Sequence, residues 1–233
     1  MAISIDAIVS SKITTSANVL SHSHTVAAGS DRMLVAIIAW QDHSYSVTPY
    51  VASATYNSVA MTQRAQLQYE YDAGTPRALI IEIWTLAAPA TGANTFQVTL
   101  SENTFSGFAA TTVSLTGVDS VGNTGSGSDY GTAATANVTT ADTSSLVIGG
   151  IVTRGTSGPY TAGSGMTERV DDDTGGGVAG SDVAWFVGSR AGTGGSDAFA
   201  ADLSTDDNWA LAAIELVAAS SGYTLTASAG SYV

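Results

Sequence analysis

The sequence contains no cysteine, one lysine (Lys12) and four prolines. Without cysteine there is neither a disulfide framework nor a thiolate metal site. Charged residues make up only 12% of the chain, against about 25% in ordinary soluble domains. Seven Lys and Arg stand against twenty Asp and Glu, a net charge of −13. That balance argues against nucleic acid as a partner, because binding it needs clustered cations. It also makes copies repel one another unless specific contacts override the charge. Long hydrophobic runs are missing too. The longest, Met33–Trp40, is far too short to span a bilayer. The opening MAISIDAIVSSK has no basic segment followed by an apolar core, so no signal peptide is visible. The expectation is a soluble protein with neither membrane nor nucleic-acid partner, reaching any place outside a cell by a route such as lysis.

Gly, Ser, Thr and Ala fill the space that charge leaves, a composition suited to strands and tight turns. At 233 residues the chain accommodates one large all-β domain or two small ones. Strand patterns recur along it. Ile3–Val9 reads as a weak strand, and Met33–Trp40 as a strand buried on both faces. Two strand-like pieces hinge at Asn57-Ser58, a tight-turn pair. The stretch from Leu79 to Val118 reads as three strands separated by short turns. Residues 119–136 are rich in Gly and Ser and nearly devoid of apolar side chains, which marks them as a connection. Strand patterns resume at Ser145. The run at 209–219 is apolar throughout and has the composition of a short helix, but its counterpart Phe108–Val118 carries Val and Thr, so strand is expected.

The two halves are weak copies of each other. Met61-Thr62-x-Arg64 matches Met166-Thr167-x-Arg169, Trp84 matches Trp185, Leu100-Ser101 matches Leu203-Ser204, and Leu115 matches Leu216. Offsets drift in one direction, as differences in loop length produce. The Trp and Met-Thr-x-Arg matches carry most of this signal. The fold expected is therefore all-β: a jelly-roll-like double-sheet sandwich over residues 1–219, built from repeats at about 30–118 and 145–219 that share one core. Two tandem sandwiches are the alternative. In the closing segment 220–233, Tyr223, Leu225 and Ala227 alternate with polar residues. Such a strand either adds to a sheet edge of a neighbouring copy, making Tyr223 and Leu225 subunit contacts, or docks on its own chain.

The order LSHSHTVAAGSDRMLVAIIAW, VASATYNSVAMTQRA, IEIWTLAAPATGANTFQVTLS and NWALAAIELVAA resembles a β-sandwich module of tailed-bacteriophage virion proteins, found also in some bacterial surface proteins. The closing GYTLTASAGSYV is similar to a short motif at the ends of phage structural proteins. The resemblance implies a virion setting, with other virion proteins and further copies of the chain as partners. It brings no catalytic residues and no cofactor.

Several groups have the residue types that chemistry needs. His22 and His24 share a strand face, and with Asp42-His43 would offer zinc ligands only if the loop brought His43 close. Asp171, Asp172, Asp173 and Asp182 have part of a calcium-loop spacing but lack its side-chain ligand at position five and its closing Glu, so a solvated acidic turn is the reading. GGGVAG at 175–180 lacks the strand-to-helix context of a dinucleotide loop. Glu82 and Glu215 sit in apolar strands. A buried carboxylate pair would serve a glycosidase, but both are expected to face solvent. All four tryptophans have the ring that stacks on sugars; Trp84 and Trp185 are expected in the core, while for Trp40 and Trp209 core and sugar stacking both stay open. These readings favour a non-enzymatic virion subunit (capsid decoration, fibre or tail-associated), with no metal and no cofactor. The alternative is an adhesin that binds host-surface glycans.

Overall fold

The computed structural model describes residues 2–42, 49–72, 77–104, 107–155, 158–175 and 182–220. In chain order the strands are β1 (Ser4–Ile13), β2 (Val19–Val26), β3 (Met33–Asp42), β4 (Val51–Tyr56), β5 (Val59–Ala60), β6 (Thr62–Glu70), β7 (Ala78–Ala87), β8 (Gly92–Leu100), β9 (Phe108–Thr116), β10 (Val118–Thr139), β11 (Leu146–Arg154), β12 (Thr161–Ala162), β13 (Thr167–Asp173), β14 (Val183–Ala191) and β15 (Ser196–Ala218). The described residues contain no helix, and the strand pairings among them are antiparallel. The expected all-β, sandwich-like class is what the chain adopts.

The first half forms a central sheet in the order β1-β9-β3-β7-β6 and an outer sheet in the order β2-β8-β4-β5. The second half repeats the central order as β10-β15-β11-β14-β13. Its outer layer is made by the same strands doubling back. Val118–Gly131 pairs with Asp207–Ala218, while Ala133–Thr139 pairs with Ser196–Asp202, with a register break at Gly131 (φ 147°). A Cβ on Gly125 would lie 2.4 Å from the Asn137 carbonyl oxygen, so the late part of β10 lies directly over the early part.

Residues 119–136, expected as a connection, are thus most of a long strand. The glycines that suggested a linker are required by close layer packing: a side chain at Gly125 or Gly127 would strike the backbone folded over it. Alternation appears only at the end of the strand, where Ala134, Ala136 and Val138 face inward.

Among the described residues, three apolar cores follow from this layering. One lies between the central and outer sheets of the first half, around Trp40, Tyr56, Phe96 and Phe108. Another lies inside the second half, around Phe186, Phe199, Trp209 and Leu211. The third joins the halves, with Val35, Ile37, Ile81 and Val113 packed against Ile148, Val152, Trp185 and Ile214. Each half packs its own sheets around a core, and the two central sheets share a further one, so the sheets stack in four layers. Because β3 and β11 sit in the middle of this stack they are buried on nearly every residue, which explains their unbroken apolar runs. Asn57 and Ser58 both have positive φ (49° and 63°) and close the β4–β5 hairpin as the sequence predicted.

Candidate functional site

His22 and His24 point from β2 toward β9, as alternation predicted. Thr112 Oγ1 lies 2.7 Å from His22 Nε2 and 2.8 Å from His24 Nδ1. Ser11 Oγ lies 2.7 Å from His22 Nδ1, and the His22 ring packs on Phe96 with centroids 5.0 Å apart. Burial lowers the pKa of His22 to about 4, and the neighbouring His24 contributes to the drop. Burial also lowers His24, against the pull of Asp6. Both imidazoles are neutral at pH 7 and pin the outer strand β2 to the central sheet. Asp42 lies buried at the end of β3, and His43 is outside the described residues. Among the described residues no three His, Cys, Asp or Glu converge as metal ligands.

The acidic cluster ends β13, the edge strand of the second central sheet. Asp171 Oδ2 accepts the Tyr160 N–H at 2.9 Å. Burial raises its pKa, the Tyr160 bond opposes that rise, and Asp172 and Asp173 reinforce it. Lys12 Nζ donates to Asp172 Oδ1 at 2.8 Å and to the Asp173 carbonyl at 2.5 Å, and lies 5.8 Å from the Trp185 ring centroid. The single lysine therefore ties β1 of the first half to β13 and β14 of the second. Residues 176–181, the middle of the candidate calcium loop and most of GGGVAG, lie outside the described residues.

Glu82 and Glu215 correct the expectation that both face solvent: each is 1% exposed. Glu82 accepts from Gln63 Nε2 and Trp84 Nε1, both at 2.8 Å, and from the Val51 N–H at 3.3 Å. Burial pushes its pKa up by more than these donors pull it down. Glu215 accepts from Ala141 N–H at 2.5 Å, Ser145 Oγ at 2.7 Å and Asn123 N–H at 3.2 Å. Burial raises its pKa, but the donors prevail and hold it below the usual value. Glu82 faces the outer sheet of the first half, beside Ile80. Glu215 faces the outer layer of the second, on the side of Ala213. Two central sheets, themselves about 10 Å apart, stand between them. They do not form a catalytic pair, and each braces strands that its own half brings together.

Trp185 lies in the core, as expected. Trp40, Trp185 and Trp209 are buried, and Trp84 is half-buried. Trp84 and Trp185 are not counterparts. Trp84 pairs with Ala36 on β3, whereas Trp185 pairs with Val152, the counterpart of Ala39. The three-residue slip puts them on opposite faces: Trp84 packs toward the outer sheet and Trp185 into the shared core. The Met-Thr-x-Arg match holds. Each copy carries a register break at its Arg, and each Arg Nε donates to a hydroxyl on the next strand: Arg64 to Thr85 at 2.8 Å, Arg169 to Ser189 at 3.0 Å. Tyr223 and Leu225 lie outside the described residues.

Compared with known protein families, curated proteins and solved structures, the chain matches none.

Proposed function

We propose that this chain is a non-enzymatic structural subunit that acts by self-association and by attachment to a larger particle. One observation carries the reading. The groups best suited to chemistry, namely His22, His24, Glu82 and Glu215, are each held by hydrogen bonds that join strands, so they serve the rigidity of the four layers. A rigid body of stacked sheets with open edges suits repeated assembly, in which many weak contacts sum to avidity. The setting proposed is a tailed-bacteriophage particle, as capsid decoration, fibre or tail-associated subunit, on the strength of the sequence resemblance.

The test is the solution mass of the purified chain with and without residues 220–233. An oligomer that becomes monomeric on truncation supports assembly through the terminal strand and its Tyr223 and Leu225. If both forms are monomers at all concentrations, self-association is not its mode of action.

A second reading, a glycan-binding adhesin, is favoured by two aromatic side chains that stand in solvent, Tyr50 (56% exposed) and Tyr130 (60% exposed). Binding on a glycan array that disappears in Tyr130→Ala and Tyr50→Ala would replace the first reading with this one.

A further inference from the structure

The two central sheets each end in an edge strand at the same topological position, β6 in the first half and β13 in the second. They are counterparts residue by residue. Thr62, Gln63 and Ala65 pair with β7 as Thr167, Glu168 and Val170 pair with β14, across the same register break. Among the described residues, nothing pairs with the outer side of β6.

The main-chain groups on that outer side can be identified. Tyr71 donates its N–H to the Arg77 carbonyl at 3.1 Å. In an antiparallel ladder hydrogen-bonded pairs alternate with non-bonded ones. Counting back from Tyr71, residues 69, 67 and 65 bond to β7, so the N–H and C=O groups of Gln66, Gln68 and Glu70 face outward. Their side chains are exposed, while Ala65, Leu67 and Tyr69 turn toward the shared core and are only partly covered.

The counterparts of Gln66 and Gln68, 105 residues on, are Asp171 and Asp173. On β13 an incoming strand would meet carboxylates, a common protection for a sheet edge. On β6 the same two places hold neutral amides. In a chain of net charge −13, β6 is an edge that a second copy can approach without bringing carboxylates face to face.

We infer that β6 is a dimerisation edge: it pairs antiparallel with β6 of a second copy of this chain, about a two-fold axis through Gln68. This rests on the self-association reading above and specifies its partner. In that register Gln68 faces Gln68 of the other copy, and Gln66 faces Glu70, so an amide donor meets a carboxylate on each side of the axis. The central sheet continues from five strands into ten, and the partly covered Leu67 and Tyr69 lose further contact with water.

The test compares the full chain with two variants. Gln66→Asp/Gln68→Asp copies the charges that β13 already carries, and Gln68→Cys places one thiol on the axis of a chain that has no other cysteine. Facing Cα atoms of a hydrogen-bonded pair are about 5.5 Å apart, within disulfide reach. By sedimentation the parent is expected at twice its 23.5 kDa chain mass, and the double-Asp variant's dimer dissociation constant should rise at least tenfold. Gln68→Cys should form a disulfide-linked dimer on mild oxidation. A parent oligomer that the double-Asp change leaves intact, with no cross-link from Gln68→Cys, overturns the β6 edge while self-association stands. A parent that stays monomeric at every concentration overturns both.

Discussion

Ile37 and Gly150 are counterparts in the two halves, and they meet. Ile37 pairs with Ile83 and Thr111, Gly150 with Val187 and Ala212, the same places in the two central sheets. A Cβ on Gly150 would lie 2.9 Å from Ile37 Cγ2. Near the axis that relates the halves, a faithful duplicate would set two isoleucines against each other, or leave a hole between two glycines. The chain resolves this by keeping the large residue in one half and no side chain in the other.

Gly150→Ala is expected to destabilise by about 1–3 kcal/mol through overpacking, and Ile37→Ala by about 2–5 kcal/mol through cavity formation. Because each change makes room for or fills the other, the double variant should cost less than the sum by about 1 kcal/mol. Urea unfolding of the four proteins measures this. Strict additivity would show that the two positions do not share space.

Arg64→Lys and Arg169→Lys should each cost about 1 kcal/mol, since lysine cannot place a planar donor on the buried hydroxyl of Thr85 or Ser189. The two sites lie on different sheets, so the double variant should show the sum of both losses. Equilibrium unfolding is again the readout, and strong coupling between the arginines would contradict the geometry.

The inward-facing histidines, His24 buried and His22 half-buried, make the fold acid-sensitive over a defined range. A folded-state pKa of about 4 for His22 lies below the unfolded value of about 6.5, so the unfolded chain takes up the proton first. Stability is expected to fall as pH drops from about 6.5 to about 4. This residue accounts for up to about 3 kcal/mol of the loss, because each tenfold difference in proton affinity is worth about 1.4 kcal/mol. His22→Ala should flatten that part of the profile; the second half carries Ala136 at the matching place, paired with Phe199 as His22 is paired with Phe96. An unchanged slope between pH 6.5 and 4 would rule the histidine out as its source.

Glu215 acts in a lower range. Its folded pKa lies below the usual carboxylate value, so its stabilisation is complete above about pH 4.5 and is lost as pH falls through the folded pKa. Glu215→Gln turns an amide NH2 toward backbone and hydroxyl donors. It should cost about 2–3 kcal/mol at pH 7, and the difference from the parent should shrink below pH 4.5. A difference independent of pH would mean that the carboxylate's charge contributes nothing.

Much of this architecture is legible in the residues. The unbroken apolar run of β3, the Asn57-Ser58 turn, the strand character of 209–218 and the doubled Met-Thr-x-Arg all express local rules: side-chain alternation, turn conformation, and an arginine at a register break. What misled were features whose meaning depends on neighbours remote in sequence. The tryptophans match by eye, yet a slip of three residues sends them to opposite faces. The acidic residues of β7 and β15 look solvated, because nothing near Glu215 in sequence announces the donors at Asn123, Ala141 and Ser145.

The sequence by itself determined the class of this protein: β-propensity, alternation and turn residues leave an antiparallel, all-β chain in two related halves. Only the tertiary structure decided how those halves are layered. A glycine stretch reads identically as a linker or as a strand covered by another layer, and the difference lies in whether a carbonyl such as that of Asn137 comes to rest where a Cβ would stand. Pairing across long separations sets that distance, and local preference carries no record of it.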